Sequence, residues 1–503
     1  MIQRILFLIT MMTLTSVPAS PVQDASLTGP TYRDVRLREG YATAMPSTGT
    51  VNMLVIPVNF SDAHCGLIIE GCAQTLTNIE QAFFGDPSTM RWHSVASYYH
   101  ASSYGQLTID GMVMDWYTPA ITAVELSNNR GLLGSQVVNP AVDQFKQQNP
   151  TLVPQFDRDQ DGFFDAVYLI YSLPFAPEEE IYGEDKDVFW AFVAYQGGQA
   201  NLSNPTLFHY GWSSYQFMYE DGYYQRSTNG KVEWDDNNEP IFFPWKDAFG
   251  QRQVDAHVYI HEVGHLLGLQ DYYSYNQEDG DWGPSGTLDM MDYNVGDHAS
   301  FSKLALGWLN PLIPVSSGTF SLTTIANTPT ALLLPKTNAT TMMDEYVLIE
   351  FYQPLGLNEK DSRESYAGRY PRMFTQAGLK IYHIDARIAQ LVVTSEGLQF
   401  DQYVTTMQPS GFRYQIAHSN TMSRNAVGTD RNFKLIHLLE ASGQNTFRNG
   451  GFATNATLWK SGQGFNTDAA PFYLNDGTRL PWQLNVGSIN GDRINLNLVY
   501  LTT

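Results

Sequence analysis

Apolar positions along this chain change their rhythm near residue 312. Before that point, near-continuous apolar runs alternate with helical periodicities. Residues 51–60 and 166–171 carry too few polar positions for a half-exposed strand and read as strands buried on both faces. Residues 75–84 and 94–102 read as helices, the second opening on Ser94 as cap and ending before Tyr104-Gly105. In residues 106–117, Leu107 and Ile109, then Met112 and Met114, fall on alternate positions, so one or two strands are expected, with Gly111 as a hairpin or bulge between the halves. Residues 135–148 have an amphipathic helical pattern. Residues 174–250 are aromatic and irregular, read mainly as core and as one wall of a groove, with Asn229-Gly230 as a hairpin turn. Val258, Ile260, Val263, Leu266, Leu267 and Leu269 then make a helix apolar on most of its surface, hence buried and central. This alternation predicts an α/β layer.

Beyond about residue 313 the runs become short and alternating: 318–325, 331–335, 345–352, 379–384, 433–439 and 493–501, with turn residues between them. A β-rich, sandwich-like C-terminal domain over 313–503 is expected, following a catalytic domain over 49–312. At the other end, Arg4, an apolar run to Val17 and the small residues before a cut at Ala19 predict a signal peptide over 1–19. Residues 20–48 are polar and turn-rich, and read as an arm or a short propeptide. If the arm inhibits, an acid such as Asp24 or Asp34 would have to approach the site.

Composition narrows the class. The 503 residues are 43% hydrophobic and 13% aromatic, enough for sizeable cores. With 29 basic against 51 acidic residues the net charge is −22, which argues against nucleic acid and against anionic membrane surfaces as partners. Past the N-terminus no apolar stretch is long enough to span a bilayer. A secreted, extracellular protein is the expectation, and in that setting Cys65 and Cys72 are expected to form a small disulfide loop.

The chemistry concentrates in His261-Glu262-Val263-Gly264-His265-Leu266-Leu267-Gly268-Leu269-Gln270-Asp271. At about 100° per helical residue, His261 and His265 lie one turn apart on one face and can reach one zinc ion. Glu262 beside them is placed as general base, taking a proton from a water that the metal makes acidic. Gly268 allows a left-handed turn that ends the helix, after which Asp271 can return as third ligand. Glu278, Asp281, Asp289 and Asp292 also lie within reach in sequence. A second string, Asp157, Asp159, Asp161, Gly162 and Asp165, looks like the opening of an EF-hand calcium loop. Its twelfth position is Tyr168, which cannot supply the usual carboxylate. His383 and Asp385, at a strand end, are read as structural rather than as a further metal site.

The H-E-x-x-H-x-x-G-x-x-D string, followed by a methionine-bearing turn, resembles the metzincin zinc endopeptidases. The resemblance implies that Met291 forms a hydrophobic floor under the metal and that Tyr293, as in a Met-x-Tyr pattern, stabilises the oxyanion. Over most of the mature chain the sequence is similar to the immune inhibitor A-like metalloproteases, peptidase family M6. The matching elements are residues 59–62, 94–105, the acidic loop, 261–271, the Met290-Met291 turn, 302–308, 345–350 and 378–385. The resemblance implies a secreted zinc endopeptidase, acting on protein or peptide substrates. Two rivals stand beside it: an exported, calcium-stabilised binding protein with a structural or degenerate zinc site, and a zinc hydrolase of non-peptide amides or esters. Oligomeric state is not legible.

Overall fold

The computed structural model describes residues 22–23, 27–39, 45–174, 186–235, 240–275, 283–336, 341–421, 429–430 and 432–501. The expected signal segment lies outside the described residues, as do Asp24, Glu278 and Asp281.

The chain is mixed α/β, with one mainly parallel sheet and several antiparallel ones. In the parallel sheet β1 (Gly49–Val58) lies between β2 (Leu107–Val113) at one edge and β3 (Ala166–Tyr171) at the centre. β4 (Phe192–Tyr195) and β5 (His209–Ser214) complete the order β2-β1-β3-β5-β4, in which only β4, at the edge, runs antiparallel to its neighbour. Val51, Met53 and Val55 of β1 pack on one side, while Leu54, Ile56 and Val58 pack on the other. Burial on both faces is why this strand lacks an alternating pattern.

Helix α1 (Tyr32–Glu39) comes from the N-terminal arm. α2 (Gly71–Phe84) and α3 (Val95–Ser102) lie on the sheet face shared with the central helix, and α4 (Asn139–Gln148) covers the opposite face through Val142 and Phe145. Ser94 caps α3 as expected, its Oγ accepting the Ser97 N–H at 3.2 Å. Two expectations change. The helix expected over 135–148 is a π-helical turn, Leu133–Val138, leading into α4. Gly111 does not turn the chain: β2 runs straight through it, parallel to β1, and any Cβ there would collide with the Met53 carbonyl oxygen. The glycine serves a close backbone approach inside the sheet.

Past residue 312, two four-stranded antiparallel sheets pack face to face. One has the order Gly318–Thr323, Arg493–Tyr500, Trp482–Asn490, Gly464–Phe465, and the other Leu332–Pro335, Glu345–Tyr352, Gly378–Asp385, Ile436–Leu438. Phe320, Leu322, Val347, Ile349, Ile381 and Leu496 fill the space between them. The far face of the second sheet, through Tyr346, Leu348, Tyr382 and Ile384, belongs to the same apolar core as Leu266, Met290 and Met291. One continuous core therefore crosses residue 312.

The arm is built into this body. Val22–Gln23 pairs with Ile313–Pro314, Tyr32 and Val35 are buried, and the Tyr32 hydroxyl donates to the Gly268 carbonyl at 3.2 Å. Asp34 caps its own helix, accepting the Thr31 N–H at 2.8 Å, and does not approach the candidate site. Cys65 and Cys72 form a disulfide, with Cα atoms 4.9 Å apart. Among the described residues, no helix is long and apolar enough to cross a membrane.

Candidate metal centre

α5 (His257–Leu266) is the buried central helix, and His261 and His265 project from one face with ring centroids 4.8 Å apart. Each ring is held by a carbonyl. Nδ1 of His261 donates to the Met290 oxygen at 2.7 Å, and Nδ1 of His265 to the Leu269 oxygen at 2.9 Å. A carbonyl can only accept, so each Nδ1 carries the proton and each Nε2 of a neutral ring presents a lone pair.

The chain then reverses where the sequence places the reversal. Gly268 has φ +95°, and the Leu269 N–H donates back to the Gly264 carbonyl at 3.0 Å. Three residues on, Asp271 sets one carboxylate oxygen 3.0 Å from His261 Nε2 and 3.3 Å from His265 Nε2. Two imidazole lone pairs and a carboxylate oxygen are all acceptors, and that oxygen, closed from solvent, has no hydrogen-bond donor. Three acceptors converging on one point could hold a cation among them. Two imidazole nitrogens and one carboxylate oxygen, all within 4.8 Å of one another, could serve as ligands to a metal ion.

The supporting layer is equally specific. The second Asp271 oxygen accepts the Tyr275 hydroxyl. Met290 supplies the carbonyl that orients His261, while the Met291 side chain lies against Gly264, where a Cβ would run into its sulfur. Met291, expected as the floor, thus sits under the helix turn that separates the two histidines. Of the other acids near in sequence, Asp289 is committed to backbone, accepting from Met291 N and Ala299 N at 2.8 Å each. Asp292 accepts from Ser285.

Glu262 is buried beside the cluster with one oxygen unpartnered. Burial pushes its carboxyl up to about 8, opposed by His261 and reinforced by the Asp271 charge. A cation neutralising Asp271 would favour the ionised form. All four residues line a cavity of about 550 Å³. Its other walls include edge strand β4, Phe217, Tyr293 and, from the far part of the chain, Arg369 and Tyr370. Tyr293 packs its ring 5.7 Å from that of Tyr370. Several wall residues had no signal in the sequence: Tyr275, Arg369, Tyr370 and the β4 edge reach the site only through tertiary folding.

In the acidic loop, Asp157, Asp159 and Asp165 gather their carboxylates within 4.8 Å of one another. Asp161 is not among them; its Oδ1 accepts the Phe163 N–H at 2.9 Å. Asp165 is fully buried, one oxygen accepting from Arg158 N at 3.0 Å and the other without a partner. Burial raises this carboxyl to about 7, with Asp159 and Asp157 adding to the effect. Tyr168, at the twelfth position, points into the core and hydrogen-bonds Ser213 at 2.6 Å, so the loop does not follow EF-hand geometry beyond its start. His383 and Asp385 sit in a buried ionic network, His383 2.9 Å from Glu345 and Asp385 bound twice by Arg387 at 2.7 and 2.6 Å.

No protein-family model matches this chain, and no curated protein matches it.

Proposed function

We propose that the protein is a secreted, zinc-dependent endopeptidase, with a metzincin-like catalytic part of the immune inhibitor A-like kind. The observation that carries this reading is the Asp271 oxygen facing two imidazole lone pairs, with Glu262 alongside in an enclosed cavity. His261, His265 and Asp271 would hold the ion. When bound, zinc would supply Lewis acidity toward a carbonyl oxygen and would make a water acidic near neutral pH. The protein's own residues account for the rest. Glu262 holds and moves the proton, from the attacking water to the leaving amine. Tyr293 lines the same cavity, and its hydroxyl would donate to the developing oxyanion.

The edge strand favours a peptide over other amides and esters. Among the described residues β4 has β5 as its strand neighbour and stands at the edge of the sheet, and its residues line the cavity, where an extended substrate chain could lie along the strand. A purely structural zinc site gives no reason for an unpartnered, buried Glu262. We also assign calcium to Asp157, Asp159 and Asp165, whose orphaned Asp165 oxygen calls for a hard cation.

Casein digestion by the full-length protein, with and without a zinc chelator, is the direct test. Hydrolysis that stops on chelation and returns with zinc is expected. A protein that binds zinc stoichiometrically and leaves casein and short peptides intact would overturn the reading.

A further inference from the structure

His257 opens α5, one turn before His261, and is fully buried. Its Nδ1 lies 2.7 Å from an Asp255 oxygen, and its Nε2 lies 3.4 Å from Asp361 Oδ2. Its two faces are covered by rings: Trp92 stacks at 4.0 Å and 11°, and Tyr366 at 4.0 Å and 21°. Both carboxylates accept only, and a neutral imidazole has one proton to give, so satisfying both nitrogens in this dry site requires the imidazolium. Two aromatic faces suit a cation. A positive charge at a helix N-terminus opposes the helix dipole, and the two carboxylates offset that cost.

Asp361 does more than meet His257. The same oxygen accepts the Gly296 N–H at 2.7 Å, just past the Met-turn, and neighbouring Asn358 accepts the Asp297 N–H at 3.0 Å. Tyr366 stacks on Tyr370 at 5.2 Å and 9°, and Tyr370 lines the cavity. One short segment of the chain beyond residue 312 therefore touches the first turn of the histidine helix, the exit of the Met-turn and the cavity wall.

We propose that His257 is a positioning residue of the metal centre, a buried imidazolium through which Asp361 and Tyr366 hold the helix of His261 and His265 in register with the Met-turn. The histidine helix is anchored below by Met290 and Met291 and at its start by this ion triplet. If the triplet loosens, the first turn of α5 is free to rotate and His261 and Glu262 lose their setting first.

The electrostatic surroundings support the charged form. Burial opposes it, but Asp255 and Asp361 outweigh burial and raise the imidazole to about 9. Charged or titratable groups that act on this cluster from the packed elements are Glu220, whose carboxyl burial raises to about 7 against Arg369 and, more weakly, His257; His93, lowered by burial and then by His257; and Lys360, which acts on Asp255. A raised imidazole contributes its stabilisation in full below its unfolded value near 6.5, and the contribution is lost as pH rises through about 9.

The inference uses the zinc reading for its consequence and the charge of His257 for its cause, and the test separates the two. In metal-free, full-length protein carrying ¹⁵N-labelled histidine, with the His257 signals assigned by their loss in His257→Gln, both ring nitrogens should remain protonated at pH 8. A neutral ring at pH 8 would overturn the proposal, whatever the protein does to peptides. In Asp361→Asn, the pH at which His257 loses its proton should fall by at least one pH unit, and zinc Kd should rise by about tenfold, the lower end for outer-layer partners of metal ligands. Unchanged zinc affinity in a folded Asp361→Asn protein would also sink it. Failure of the wild type to bind zinc would instead count against the function proposed above, leaving the His257 measurement to decide this one.

Discussion

Glu262 and Tyr275 both line the cavity of the candidate centre and predict opposite phenotypes. Glu262 is not one of the three converging acceptors, so Glu262→Gln should leave zinc content unchanged. Turnover of casein should nevertheless fall by about 10²–10⁴-fold, the usual size of a general-base contribution. Metal analysis and initial rates on the same preparation check this, and retained activity at full zinc occupancy would remove Glu262 from the base role. Tyr275 touches no reacting atom but fixes the free oxygen of Asp271. Tyr275→Phe should therefore weaken zinc binding by about 10–100-fold, measured by competition with a chromogenic chelator, with kcat of the zinc-loaded protein much less affected. The two residues also differ in legibility. Glu262 is marked by its place between two histidines at helical spacing. Tyr275 follows Asp271 by four residues in a loop with no periodicity, so only the folded chain brings its hydroxyl to the carboxylate.

Between elements, packing sets what the site tolerates. Gly264 sits between the two histidines because the Met291 sulfur occupies the space that a side chain would need. Gly264→Ala should cost about 1–3 kcal/mol of stability, typical of overpacking a buried contact, and should weaken zinc binding as α5 is pushed off its floor. Combining it with Met291→Ala should cost less than the sum of the two single changes, because the residues touch. Thermal unfolding of the four proteins closes that cycle, and strict additivity would show that the contact is not what constrains Gly264. The acidic loop makes a pH-dependent prediction. Asp165 is raised to about 7, so its burial costs stability increasingly as pH rises from its unfolded value near 4 through 7, unless a cation compensates. Calcium should therefore raise Tm more at pH 8 than at pH 5, and Asp165→Asn should remove most of that difference. Equal shifts at both pH values would dissociate calcium from Asp165. Three of the four carboxylates expected here do converge. Asp161 turns instead to cap Phe163, a local hydrogen bond that alternate spacing in sequence does not distinguish from a ligand.

Across the whole molecule, the change of rhythm near residue 312 marks a change of architecture without marking an edge of the core. Glu345–Tyr352 is buried at every position because one face meets the opposite sheet of the sandwich, that of Gly318–Thr323 and Arg493–Tyr500, and the other meets the part that bears the histidines. Apolar periodicity reports that both faces are covered, and says nothing of which partner covers each. This is why the strands were legible and their shared core was not. The N-terminal arm was equally ambiguous, since polar, turn-rich sequence fits an inhibitory segment as well as a short helix whose Tyr32 and Val35 complete the core. Both points lead to one expectation about truncation. A fragment ending at residue 312 would leave the Met290, Met291 and Leu266 side of the core without Tyr346, Leu348 and Tyr382, exposing apolar surface large enough to drive association. It would also remove Asp361, Tyr366 and the Arg369-Tyr370 wall of the cavity. Such a fragment should be poorly soluble, and any soluble portion should bind zinc far more weakly than the full chain. Removing residues up to 44 should likewise lower Tm without raising peptidase activity, because the arm supplies core side chains and a hydrogen bond to Gly268. A 1–312 fragment that is monomeric and binds zinc as the full chain does would show that the sandwich is an appendage, and that the histidine helix is set by its own half of the molecule alone.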